Sequence, residues 1–131
     1  MVRQKTVSAI LTFTVLIGLI TLATYLKRVA DYKQTVSEIS IEEINILDIP
    51  DGVYVGECDA NYIYTKVEVT VHSKKITSIR IIEHKNERGR AAEAVLEEII
   101  SEQRIDVDAI SGATNSSIVL KKAVEKALKN D

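Results

Sequence analysis

The chain has 131 residues, with 17 basic and 19 acidic side chains and a net charge of −2. This length fits one ordinary domain rather than two. Residues 1–33 hold five basic residues against one acidic residue, whereas residues 34–131 hold 12 basic and 18 acidic residues. An acidic globular part lacks the basic face that nucleic-acid binding requires, so no nucleic-acid partner is expected. One cysteine and two histidines exclude an internal disulfide and a cysteine-rich metal site.

Residues 6–26 form an uncharged, largely apolar run between Lys5 and Lys27. At ~1.5 Å per residue the run spans about 31 Å as a helix, close to the hydrocarbon thickness of a bilayer. Its threonine hydroxyls are expected to bond back to helix carbonyls. Residues 1–33 are therefore predicted to be a basic leader and a transmembrane anchor in the lipid bilayer. A cleaved signal peptide is the alternative, although the run exceeds the usual ~7–15 residues of such a segment.

The orientation of the anchor follows less directly from the charges. Two basic residues precede the run and three follow it, a small bias against export of the downstream part. Long downstream domains, however, translocate largely regardless of nearby charge. Residues 34–131 are therefore predicted to lie outside the cytoplasm, held at the cell membrane by a single span.

Residues 34–49 read as a connector. Their apolar residues fit both a helical stripe and an alternating pattern, so a short helix and an extended stalk both remain possible. The turn signal Pro50-Asp51-Gly52 then opens a compact domain at residues 50–131.

The first part of this domain has the period of β-strands. Val53 and Val55 alternate with other residues, and a strict alternation follows at residues 63–72. We expect these apolar residues to share the buried face: Val53, Val55, Ile63, Thr65, Val67, Val69 and Val71. Residues 73–75 form a turn, and residues 76–83 form a return strand that buries Ile79 and Ile81. His72 follows the polar period and is expected to be exposed.

The period then becomes helical. Apolar residues from Ala91 to Ile100 fit one face of a helix ending near Gln103, and those from Ile118 to Leu128 fit a second helix. The lysines of the second helix are expected to face water: Lys121, Lys122, Lys126 and Lys129. The predicted fold class is α+β, a small antiparallel β-sheet covered by two helices and preceded by one N-terminal transmembrane helix.

The segment before the second helix, Asp106 to Ser117, carries the densest polar signal. A simple interpretation is a turn at Gly112 with Thr114, Asn115 or Ser116 capping the helix. A cap needs one such residue, whereas this stretch offers several. A hydroxyl at a helix N-terminus also lies where unpaired amides and the positive end of the helix dipole favour a phosphate.

The run Asp108-Ala109-Ile110-Ser111-Gly112-Ala113-Thr114 resembles the flavinylation motif of the FMN-binding domain family, found in flavin-carrying subunits of sodium-pumping and Rnf-type respiratory complexes. The resemblance implies that Thr114 carries FMN through a phosphoester. It also implies that a flavin transferase installs the FMN and recognises Asp108, Ser111, Gly112 and Ala113. Asn115 and Ser116 complete the expected phosphate end of the site.

Three further stretches are similar to the same family. They are Asp51 to Gly56 for the opening strand, Lys75 to Ile79 for the hairpin return, and Glu83-His84-Lys85 followed by Gly89 for the loop facing the flavin ring. The resemblance covers about residues 50–129 and implies that His84 and Gly89 contact the cofactor. Asn86 to Gly89 departs from the Glu-Thr-Pro-Gly of larger members. The variant with Gly89, Arg90, Ala91 and Ala92 leading into a helix resembles the short, single-domain branch of the family.

The resemblance implies a membrane-anchored, extracytoplasmic electron carrier with FMN as cofactor. Its partners would be the flavin transferase, a membrane redox donor and an extracytoplasmic electron acceptor. No catalytic residue or metal ligand is predicted, so an electron-transfer protein is expected rather than an independent enzyme. Non-covalent FMN binding and a cofactor-free anchored interaction module remain the alternatives.

Overall fold

The structure, a computed structural model, describes residues 1–85 and 89–130, without the side chains of residues 89–91. The chain divides into two compact units, Met1–Asp31 and Tyr32–Asp131. The elements in chain order are helix α1 (Val2–Glu38), a short 3-10 helix (Ile46–Asp48), strands β1 (Gly52–Asp59), β2 (Tyr64–His72) and β3 (Lys75–Lys85), and helices α2 (Gly89–Glu102) and α3 (Thr114–Lys129).

The first unit is helical throughout from Val2. Among the described residues, α1 is the one helix that is long and apolar enough to cross a membrane, with a mean hydropathy of 2.2 over its most apolar window. The hydroxyls of Thr6, Thr12 and Thr14 donate to the carbonyls four residues earlier at 2.8–2.9 Å, as expected for threonines in such a helix.

The second unit contains a three-stranded antiparallel sheet in the order β1-β2-β3. The alternation predicted for β2 is confirmed, because Ile63, Thr65, Val67, Val69 and Val71 are all buried. The β2–β3 turn places Ser73 and Lys74 at φ values of 52° and 62°. Two consecutive positive φ values are typical of the tight turns that match the twist of paired strands.

The expected facing of β1 is wrong. Val53 and Val55 are 60% and 47% exposed, and Gly56 and Cys58 face the interior instead. The reason is the close approach of α3: a Cβ atom on Gly56 would lie 2.2 Å from the Ala123 carbonyl oxygen. The inward position of β1 therefore requires a residue without a side chain, and the valines occupy the opposite face.

Strand β3 contains an irregularity that changes which residues face inward. Lys66 pairs with Glu83 and Val67 pairs with Ile81, so Ile82 is an extra residue on β3. Bulges of this kind re-aim the side chains that follow them. Ile79 and Ile81 pack against the core as predicted, and after the bulge His84 lies opposite the buried Thr65.

Helices α2 and α3 pack on one another and on the same sheet, α2 against β3 and α3 against β1 and β2. The α+β class is therefore confirmed. The apolar faces predicted for both helices are buried, including Val95 and Ile99 in α2 and Leu120 and Val124 in α3. The expectation for Lys121 is wrong: this side chain is buried and its Nζ donates to Asp106 and to the Val107 carbonyl.

Residues 34–49 contribute to the core of the second unit. Helix α1 ends at Glu38, a stretch without regular secondary structure follows, and Val36, Ile46 and Ile49 are buried. The backbone N–H of Glu42 donates to the buried Glu125 carboxylate at 3.0 Å. This stretch therefore packs as part of the domain instead of forming a free stalk.

Candidate functional site

One end of the sheet gathers the residues expected to form the site. Asp59 pairs with Tyr64, and Tyr64 pairs with Lys85, so the end of β1, the start of β2 and the end of β3 lie side by side. The Tyr62 ring in the β1–β2 loop lies 5.6 Å from that of Tyr32. Tyr32 in turn interacts with the side chain of Asn115, which brings the start of α3 to this end.

Helix α2 also begins at this end of the sheet. At its other end, Gln103 accepts from the Ile76 amide and donates to the Ile76 carbonyl, both at 2.8 Å, which fixes the end of α2 beside the start of β3. Helix α2 therefore runs antiparallel to β3, and Gly89 lies near the end of β3. The predicted contacts of residues 86–88 lie outside the described residues.

The motif itself forms a tight turn before α3. The Ala113 amide donates to the Ile110 carbonyl at 2.9 Å, and Gly112 has a φ of 81°. This φ favours glycine at the third position of a type II turn, so the bend predicted at Gly112 is confirmed. Asp108, Ser111, Gly112 and Thr114 are exposed, whereas Ala113 and Ser116 are buried.

The predicted side-chain cap of α3 is wrong. Ala113 occupies the N-cap position, where its methyl group cannot accept a hydrogen bond, and no acidic residue lies in the first turn. The first amides of a helix have no partner within it, and its N-terminal end carries a partial positive charge. The exposed residue Thr114 therefore lies at a helix N-terminus whose N-cap and first turn contain no side-chain cap and no acidic residue.

Ser117 is a site residue that sequence reasoning missed. Its hydroxyl is fully buried, accepts from the Ile110 amide at 3.1 Å and donates to the Ala113 carbonyl at 2.8 Å. Ser117 therefore forms hydrogen bonds with both ends of the Ile110–Ala113 turn that precedes Thr114. The sequence did contain a signal for this role, because Ser117 lies on the apolar stripe of α3 with Leu120 and Val124, where side chains are buried. A buried hydroxyl requires hydrogen-bond partners.

His84 is half-buried near the end of β3, on the helix-covered side of the sheet. Burial lowers the pKa of its imidazole, and the nearby Glu93 carboxylate on α2 opposes that shift. His84 is therefore a neutral imidazole at pH 7, a group with one nitrogen able to donate a hydrogen bond and one able to accept.

Comparison with known proteins identifies the family to which this domain belongs. A family model described as the FMN-binding domain matches residues 64–129, from the start of β2 to the end of α3. The chain belongs to the FMN-binding domain family. FMN is its cofactor, and the match includes both His84 and Thr114. Strand β1 precedes the matched residues, so its predicted resemblance to the family stays a prediction.

The chain is also similar to a curated protein whose name states no activity. An uncharacterized protein of Treponema pallidum (strain Nichols) is 30% identical over 84 residues. These residues cover 62% of this chain but 23% of the relative, so the chain spans less than a quarter of the relative's length.

The residues at this end of the FMN-binding domain fit the cofactor. Phosphate suits an uncapped helix N-terminus because the amides and the helix dipole both favour an anion. The Ile110–Ala113 turn keeps bulky side chains away from that terminus, since it contains Ser111, Gly112 and Ala113. A neutral imidazole, His84, supplies a hydrogen-bonding group for a polar ring at the same end of the sheet.

Proposed function

We propose that this FMN-binding domain is an extracytoplasmic electron carrier, anchored by α1, with FMN attached to Thr114 through a phosphoester. The position of Thr114, an exposed residue at the start of α3 where no side chain caps the helix, is the observation that carries the proposal. FMN supplies the redox chemistry when bound, and the protein supplies its position, its environment and its tether.

Attachment requires a hydroxyl that a transferase can reach. Thr114 is exposed, and Ser111 and Gly112 beside it are exposed as well. In the transfer, the bond between the flavin phosphate and its leaving group in a phosphoanhydride donor breaks, and a bond from Thr114 Oγ1 to phosphorus forms. The hydroxyl proton leaves with the departing phosphate or a transferase base, and nothing is oxidised or reduced.

A covalent tether suits a position outside the cytoplasm, where a lost flavin is not readily replaced from the metabolite pool. The long apolar helix supports the anchor, and a long downstream domain is translocated largely regardless of the charges that flank the span. In this setting the domain, with FMN held at Thr114, would connect a membrane redox donor to an extracytoplasmic electron acceptor.

Co-expression of the full chain with a flavin transferase tests the proposal. A band that fluoresces under ultraviolet light after denaturing electrophoresis, with an intact mass increased by FMN minus water, supports covalent attachment. A yellow protein that loses its colour on denaturation indicates non-covalent FMN. A protein that stays colourless with FMN supplied indicates a cofactor-free interaction module.

A further inference from the structure

Residues 105–113, which precede Thr114, form an attachment loop. Side chains from elsewhere in the domain form hydrogen bonds with this loop at three places. The Glu43 carboxylate accepts from the amides of Ile105 and Asp106 at 2.9 and 3.0 Å. Ser117 holds the turn at the other end of the loop. Between them, Lys121 donates to Asp106 Oδ1 at 2.9 Å and to the Val107 carbonyl at 2.8 Å.

Lys121 is an unusual residue for this position because only 6% of it is exposed. Burying an ammonium group costs free energy, and a well-packed apolar side chain of similar volume often serves stability as well or better. Within the part of the chain that the structure describes, both hydrogen bonds of Lys121 go to the attachment loop. The ammonium group of Lys121 therefore stabilises the conformation of the attachment loop.

These hydrogen bonds hold the attachment loop so that the polar residues of the flavinylation motif face the solvent. Ser117 and Lys121 are four residues apart and hence lie on the same face of α3. They draw the backbone of the loop toward the helix, while Asp108, Ser111 and Gly112 stay exposed beside Thr114.

We propose that Lys121 is a positioning residue for FMN attachment, which holds the attachment loop in the conformation that the flavin transferase recognises. The inference rests on the proposed attachment at Thr114. Without Lys121, the transferase must order the loop itself, and its apparent affinity for the chain falls with the population of the ordered form.

The test uses the full chain in detergent, prepared without flavin, together with purified transferase and a flavin phosphoanhydride donor. Lys121→Met keeps the length of the side chain and removes its charge. Lys126→Met is the matched control, since Lys126 makes no hydrogen bond to the attachment loop among the described residues. We expect kcat/KM for flavinylation to fall about tenfold or more in Lys121→Met, mainly through KM, and to stay native in Lys126→Met.

Hydrogen exchange separates positioning from a general structural role. In Lys121→Met, amide exchange should rise in residues 105–113 and stay slow in β2. A folded Lys121→Met chain with native kcat/KM overturns the inference. Should Lys121→Met fail to fold, Asp106→Ala provides the second variant because Asp106 is exposed and alanine removes the oxygen that accepts from Lys121, and native kcat/KM there also overturns the inference. If the native chain itself gains no flavin, the proposed function fails.

Discussion

Gly56 and Ala123 approach so closely that a Cβ atom on Gly56 would lie 2.2 Å from the Ala123 carbonyl oxygen and 2.3 Å from the Ala127 amide nitrogen. Both neighbours are backbone atoms of α3, which cannot turn away as a flexible side chain does. This contact sets how near α3 lies to the sheet, and it therefore helps to place Thr114 at the start of that helix.

Gly56→Ala should destabilise the domain by at least about 2 kcal/mol, because α3 must shift to admit one methyl group. Cys58 provides the readout, since it is the single cysteine of the chain and is buried in the core. Its labelling by a maleimide along a urea gradient should begin at lower urea in Gly56→Ala. Gly52→Ala is the control: its Cβ would meet side-chain atoms of Tyr54 at 3.4 Å, so its labelling midpoint should stay near native. An unchanged midpoint in Gly56→Ala would mean that α3 moves away at little cost.

Most of the fold could be predicted from local periodicity. The buried residues recur with period two in β2 and with the helical period in both covering helices, because each element buries one face against a single layer. Strand β1 could not be predicted in this way, since its inward face is set by the distance to α3 and not by hydrophobicity. Val53 and Val55 therefore suggested the wrong face, and Gly56 was the informative residue.

Features of the candidate site that depend on residues adjacent in the chain could be predicted from the sequence. Features that depend on contacts between distant residues were harder to predict. The turn at Gly112 follows from glycine chemistry alone. The burial of Lys121 does not, because its partners Asp106 and Val107 precede α3 in the chain and lie beside it only after folding. Likewise, the inward facing of His84 depends on the bulge at Ile82, which strict alternation does not reveal.

Thr114→Val should abolish covalent flavin and leave the fold intact. Valine keeps the branched shape of threonine, removes the acceptor oxygen and replaces an exposed residue, so no buried contact is lost. Ser111→Ala and Ser116→Ala remove neighbouring hydroxyls but keep the acceptor oxygen of Thr114, so a fluorescent band, weaker where recognition by the transferase is impaired, should remain after denaturation. Loss of the band in Ser111→Ala or Ser116→Ala, together with its survival in Thr114→Val, would assign the linkage to another residue.

Protease added to intact spheroplasts should digest the domain, because the proposed topology puts residues 34–131 outside the cytoplasm. An antibody against a C-terminal tag follows the loss of the full-length band, and a cytoplasmic marker protein that stays intact confirms that the cells are sealed. A domain that remains protected until the membrane is lysed would reverse the topology. Sequencing the N-terminus of the mature chain separates an uncleaved anchor from a cleaved signal peptide.

His84→Ala should lower the midpoint potential of the bound flavin. His84 is neutral at pH 7 and lies on the helix-covered side of β3, so it can donate a hydrogen bond to the reduced, anionic ring. A hydrogen bond to a charged group contributes ~1.5–3 kcal/mol. For a one-electron step this corresponds to a shift of about 65–130 mV.

Redox titration of the flavin-loaded variants measures this shift. His84→Gln keeps a donor at the same position and should lie between the native protein and His84→Ala. His72→Ala is the control: it removes an imidazole that is exposed at the other end of β2 and lies 3.1 Å from Asp51, and it should leave the potential unchanged. Equal potentials in the native protein and in His84→Ala, with equal flavin loading, would show that His84 makes no contact with the ring.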